Sequence, residues 1–252
     1  MPQRNQSRFE NVQINCAGLT ARSSVDESRV INGIFVNITK APYTVSVQEG
    51  NVHMCGGNII SKDWVITAAR CVPVLTDNYT VRAGATYYDE GGSVHIVDQI
   101  ALPPGSAMNK FGFQVSDLAL LHVASSFNFD QTRKPIKLIA GDAQLTSNSK
   151  VTIYGWANIA MMPPPALHYV STTVTTKSAC NSTFSEFRGI FDNQSCVSTY
   201  NLCRKDSGDG LNYNDVLAGI VSWSEICGNV NYKSIYTELA PYRYWIQRTT
   251  GV

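Results

Sequence analysis

Two short stretches of this 252-residue chain carry side chains able to take part in acyl transfer. One runs Cys203-Arg204-Lys205-Asp206-Ser207-Gly208-Asp209-Gly210, and the other is Thr67-Ala68-Ala69-Arg70-Cys71. A serine hydroxyl attacks a carbonyl when a base takes its proton, a carboxylate orients that base, and donors hold the oxyanion. Arg70 cannot be the base, because a guanidinium has a pKa above roughly 12 and no lone pair to offer. What it can do is pair bidentately with a carboxylate. The remaining bases are His53, His95, His122 and His168. His95, His122 and His168 read as surface histidines on strands.

The elements that must position these groups are short strands. Tyr43 to Val47, Asn58 to Ser61, Trp64 to Thr67, Thr80 to Ala83 and Ser93 to Ile100 are β-branched or alternating. Gly56-Gly57, Gly84 and Gly91-Gly92 punctuate them. A second series follows at Val151 to Tyr154, His168 to Thr176, Val216 to Ser222 and Ser234 to Tyr236. Helical periodicity is confined to the end, where residues 241 to 248 predict a short amphipathic helix with Trp245 and Ile246 inward. The pattern is that of an all-β barrel or sandwich protein.

Composition sets the bounds. With 44% hydrophobic residues and a net charge of +1, the chain can bury a sizeable core. Its near-neutral balance gives no electrostatic footprint for nucleic acid or an anionic membrane, and neither is expected as a partner. No apolar run approaches the roughly 20 residues needed to span a bilayer. The seven cysteines include no C-x-x-C pair, so disulfides are expected rather than zinc, and no metal or cofactor is predicted. Sequons begin at Asn5, Asn37, Asn78, Asn181 and Asn193. The first ten residues lack the apolar stretch of a signal peptide. The expectation is a secreted, extracellular glycoprotein whose signal is absent from this sequence.

The ordered motifs now point to a family. Ser28-Arg29 precedes Val30-Ile31-Asn32-Gly33, which resembles a zymogen activation junction; Cys55-Gly56-Gly57, Trp64 to Ala69, Ser116 to Leu121, Tyr154-Gly155-Trp156 and Ser222-Trp223 follow in order. With the two opening stretches, these identify residues 30 to 252 as a member of the chymotrypsin/trypsin-like serine protease family, behind a pro-segment at 1 to 29. The resemblance implies an all-β fold of two six-stranded antiparallel barrels with a short C-terminal helix, and catalytic residues facing the cleft between the barrels. It also implies disulfides Cys55–Cys71, Cys180–Cys196 and Cys203–Cys227. Cys16 is left unpaired, either free or linking a dimer of an otherwise monomeric protein.

Carried over residue by residue, Ser207 matches the nucleophile and Asp117 the orienting carboxylate. Arg70 stands where the family has its histidine, and loss of a triad's base typically removes about six decades of turnover. Lys205 replaces an oxyanion-hole glycine, with its side chain expected to protrude where substrate approaches. Asn201 replaces the aspartate that trypsin-like members place under a basic substrate side chain. Ser224, Ile226 and Ser234 align with pocket-wall glycines and would fill the slot. Cleavage after Arg29 would free the Val30 ammonium to pair with Asp206. In the uncleaved chain Asp206 is expected to turn towards His53 and Ser46.

A protease homologue without proteolysis is therefore expected, acting by binding protein. Its general look and altered triad resemble mite group 3 allergen-type proteases, in particular the inactivated paralogues of the scabies mite. That resemblance implies host plasma proteins as partners and inhibition of host complement or a related cascade. Two alternatives stay open. One is residual or unconventional hydrolysis, and the other an arthropod protease-cascade cofactor. The proline-rich loop at 160 to 165 and the segment 103 to 113 are candidate binding rims.

Overall fold

A computed structural model describes residues 33–73, 78–106, 115–156, 166–187, 189–199, 202, 204–223 and 233–252. The chain divides between Val30 and Ile31, and every described residue belongs to the second unit. The pro-segment, including Asn5, Cys16, Arg29 and Val30, lies outside the described residues, as do Asn201, Cys203, Ser224, Ile226, Cys227 and the loop 160 to 165.

Strand alternation decides which side chains reach the first core. Strand β1 (Ile34–Phe35) comes first and pairs elsewhere. The following six are β2 (Thr44–Glu49), β3 (Val52–Ile59), β4 (Trp64–Thr67), β5 (Tyr79–Ala83), β6 (Ser93–Ala101) and β7 (Ala119–Val123). They close into a barrel in the order β2-β3-β4-β7-β6-β5. On β5, Tyr79, Val81 and Ala83 are buried, while on β6 His95 and Val97 point in and Val94 and Ile96 point out. That period of two is what a sheet with one face on a core requires. In β2 and β3 both faces are largely buried, because this part of the barrel also packs against the nucleophile segment.

The second half holds β8 (Lys137–Leu138), β9 (Lys150–Gly155), β10 (His168–Thr173), β11 (Gln194–Val197), β12 (Gly210–Tyr213), β13 (Val216–Trp223) and β14 (Ser234–Glu238). With β1 they form an eight-stranded sheet in the order β1-β10-β9-β12-β13-β14-β11, with β8 paired to β13. This is the second barrel-like sheet of the expected fold, six strands with the short β1 and β8 added. Its far ends are drawn together by a single bridge, Val174 to Val197, beyond the ends of β10 and β11.

Two helices complete the fold. Helix α1 (Lys177–Thr183), not foreseen from the sequence, starts where Thr176 Oγ1 accepts from Ala179 N at 3.1 Å. Helix α2 (Arg243–Thr250) begins two residues later than expected, after a 3-10 turn, and buries Ile246 with Trp245 half-buried. It ends at Gly251, whose φ of 79° suits a residue without Cβ. Among the described residues, no helix is long and apolar enough to cross a membrane.

Two expected disulfides are present, Cys55–Cys71 and Cys180–Cys196. The first ties β3 to the 3-10 turn Ala69–Cys71 that carries Arg70. The sequons differ in what the fold allows. Asn193 directs its Nδ2, the atom a glycan would use, to the Val115 carbonyl at 2.9 Å and to the Tyr242 hydroxyl. A glycan on Asn193 would have to displace both contacts. Asn37, Asn78 and Asn181 are exposed.

Candidate functional site

Ser207 sits in the segment joining the 3-10 turn Arg204–Asp206 to β12, and that segment is stitched to the other barrel. Gly56 N donates to the Ser207 carbonyl at 2.9 Å, and Asn58 Nδ2 to the Gly208 carbonyl at 3.2 Å. Gly208 adopts a φ of +88°, and a Cβ there would overlap the Gly56 carbonyl and Thr67 Oγ1. Glycine is thus required immediately after the serine.

Arg70 and Asp117 are brought to the same place. Asp117, just before β7, has no exposed surface, and its carboxylate accepts from the Arg70 backbone N at 2.9 Å and from Arg70 Nε at 2.5 Å. One of the two expected side-chain donors is therefore a main-chain N–H. The Arg70 side chain is about one-third exposed, at 30%. Its Nη2 lies 3.4 Å from Ser222 Oγ, and that hydroxyl donates to Asp117 Oδ2 at 2.5 Å. In the sequence Ser222, on β13, belongs only to a strand motif. Its hydroxyl completes the shell of a buried carboxylate that would otherwise keep an open lone pair.

Ser222 also joins this pair to the serine. The Ser207 hydroxyl donates to the Ser222 carbonyl at 2.8 Å, and Cys71 Sγ lies 3.7 Å from the Ser207 carbonyl. A carbonyl oxygen cannot take up a proton at neutral pH. Among the described residues, the partner of the Ser207 hydroxyl is this acceptor and not a basic side chain.

His53 does not fill that role. Its Nδ1 meets Ser46 Oγ at 2.8 Å, Gln48 Nε2 donates to the same hydroxyl at 3.1 Å, and the ring stacks on Tyr88 at 4.8 Å. Burial first, then the Lys205 charge, lower its pKa to about 4, so the ring is neutral at physiological pH. His53 and Ser46 are together as expected. The group beside His53 is Lys205, whose Nζ lies 6.0 Å from the centroid of the Tyr88 ring. Lys205 packs along the His53–Tyr88 stack, where an ammonium over an aromatic face is favourable.

Asp206 is buried, and its carboxyl faces that of Asp209. Asp209 Oδ1 occupies the space a Cβ on Gly56 would need, and Oδ2 the space beside Gly155. Neither oxygen has a hydrogen-bond donor as an ionised acid. Burial, and then the charge on Asp206, push the Asp209 carboxyl well above its ordinary range. The two acids therefore share a proton. Of the pocket-wall positions only Ser234 is described, buried with its hydroxyl donating to the Thr199 carbonyl at 3.0 Å. No group of three or more potential metal ligands occurs among the described residues.

These barrels and this serine–aspartate geometry define a serine protease scaffold, and comparison with known proteins agrees. The trypsin family's sequence profile matches residues 30–246. The chain belongs to the trypsin family. It is 32% identical over 230 residues to trypsin epsilon of Drosophila erecta, with 88% of each chain covered. It is 28% identical over 239 residues to the vitellin-degrading protease of Bombyx mori, covering 91% of this chain and 89% of that one. The fold is similar to that of neuropsin, a serine protease expressed in the limbic system of mouse brain, with a TM-score of 0.77 and 24% identity. That match covers 86% of this chain and 98% of the other.

Proposed function

We propose that this chain is a proteolytically inactive trypsin homologue that acts by binding protein. The observation carrying the reading is the wiring of Ser207. Its proton is directed at the Ser222 carbonyl, while the side chain holding Asp117 is a guanidinium that cannot accept it. Its disulfides fit a secreted protein. The resemblance to inactivated mite protease paralogues favours a partner among host plasma proteins, with complement or a related cascade as the target. A second reading, a working or residual endopeptidase, is favoured by the relatives named trypsins and a vitellin-degrading protease.

Turnover of a peptide ester separates the two. After cleavage at Arg29, wild-type turnover is expected to equal that of Ser207→Ala. A wild-type rate well above the Ser207→Ala background would establish the endopeptidase. Arg70→His is also expected to stay at that background. It would supply a base but leave Lys205 at the oxyanion position and Asn201 without a counter-charge. Recovery of activity by this single change would show that Arg70 is the sole lesion.

A further inference from the structure

Outside the cleft, the rim of the first barrel holds the hydroxyl–imidazole contact that Ser207 lacks. Ser93 opens β6 directly after Gly91 and Gly92, both of them exposed and at positive φ. His95 lies two residues on, so both side chains leave the same face of the strand. Ser93 Oγ is 2.8 Å from His95 Nε2.

The protons in this cluster are fixed by its neighbours. His95 Nδ1 lies 2.8 Å from the Ser125 carbonyl, which can only accept, so Nδ1 carries the hydrogen and Nε2 a lone pair. The Ser125 hydroxyl lies 3.1 Å from the same nitrogen, and Phe127 packs against the ring at 4.5 Å. On the other side Arg133 Nη1 donates to Ser93 Oγ at 3.0 Å, while its Nη2 is held by Asp130 at 2.5 Å. Arg133 only donates, so the Ser93 hydroxyl proton must point at His95 Nε2. A base thus faces the proton, a carbonyl orients the base, and a fixed cation sits where alkoxide charge develops.

We infer that Ser93, with His95 as its base, is a second nucleophilic site that takes a small electrophilic acyl or phosphonyl group. With a fluorophosphonate, the Ser93 Oγ–P bond forms and the P–F bond breaks. The hydroxyl proton passes to His95 Nε2 and leaves with fluoride. Ser93 is half-buried and flanked by the exposed Gly92 and Ser125, so a small reagent can reach it.

The test is labelling of the folded chain with a fluorophosphonate, followed by digestion and localisation of the label by mass spectrometry. One equivalent is expected on the peptide containing Ser93. The label should be unaffected by Ser207→Ala and lost in Ser93→Ala, a change at the barrel rim that removes one hydroxyl. His95→Gln should slow it roughly 100-fold, the lower end of what a positioned general base supplies. A wild-type chain left unlabelled at Ser93 would overturn the inference, and so would a rate that ignores His95→Gln. Label on Ser207 bears instead on the proposed absence of proteolysis, so the two readings fail separately.

Discussion

Arg70→Ala is expected to destabilise the folded chain by about 3 kcal/mol, the low end of the cost of breaking a buried ion pair by removing one partner. For a domain of this size that corresponds to a fall in Tm of roughly 6–12 °C. The reason is the asymmetry of the pair. Asp117 is fully buried and Arg70 is 30% exposed, so the alanine releases a solvated cation and strands a desolvated anion. Asp117 keeps two donors, the residue-70 main-chain N–H and the Ser222 hydroxyl. These hold the cost at the low end. Adding Asp117→Asn should recover part of the loss, because a neutral amide can still accept from the main-chain N–H and meet Ser222. A single mutant that melts within about a degree of wild type would show that Arg70 contributes no net stabilisation. A double mutant no more stable than the single would show that the buried charge was not the cost.

Much of the scaffold was legible because strands announce themselves by period and glycine punctuation. Ser93 to Ala101 is the clear case, since its alternation sets His95 and Val97 inward. Strands β11 and β12 escaped notice because Gln194–Val197 and Gly210–Tyr213 are four residues each and buried on nearly every position. Such a segment carries no alternation to read. The positions of Arg70, Asp117 and Ser207 followed from ordered motifs, but the role of Ser222 did not. A hydroxyl that accepts nothing from its sequence neighbours and serves a carboxylate 105 positions away leaves no local signal. The sequence position of Lys205 does not show the direction of its side chain, whose ammonium lies 6.0 Å from the centroid of the Tyr88 ring. Nothing in the chain reveals that the Asp209 carboxyl fits between Gly56 and Gly155.

Asp209→Asn should stabilise the folded chain progressively as pH rises. Unfolded, the Asp209 carboxyl titrates near its ordinary 3.8; folded, burial and the Asp206 charge hold it well above that. Below about pH 4 both states carry the proton and Asp209 costs nothing. Between there and its folded pKa only the folded state carries it, and stability falls by about 1.4 kcal/mol per pH unit for each such proton. Asparagine does not titrate, fills nearly the same volume against Gly56 and Gly155, and offers Asp206 an N–H in place of the shared proton. His53 slopes the other way. Its folded pKa of about 4 lies below its unfolded 6.5, so the stability it contributes is lost as pH falls through that interval. That slope is common to both proteins and cancels in their difference. Urea unfolding at pH 5, 6 and 7 should therefore show the gap between Asp209→Asn and wild type widening with pH, by up to about 1.4 kcal/mol per unit while the folded state keeps the proton. A gap that stays constant over this range would mean that folding leaves the proton count of Asp209 unchanged, and the buried acid pair would then not hold a proton of its own.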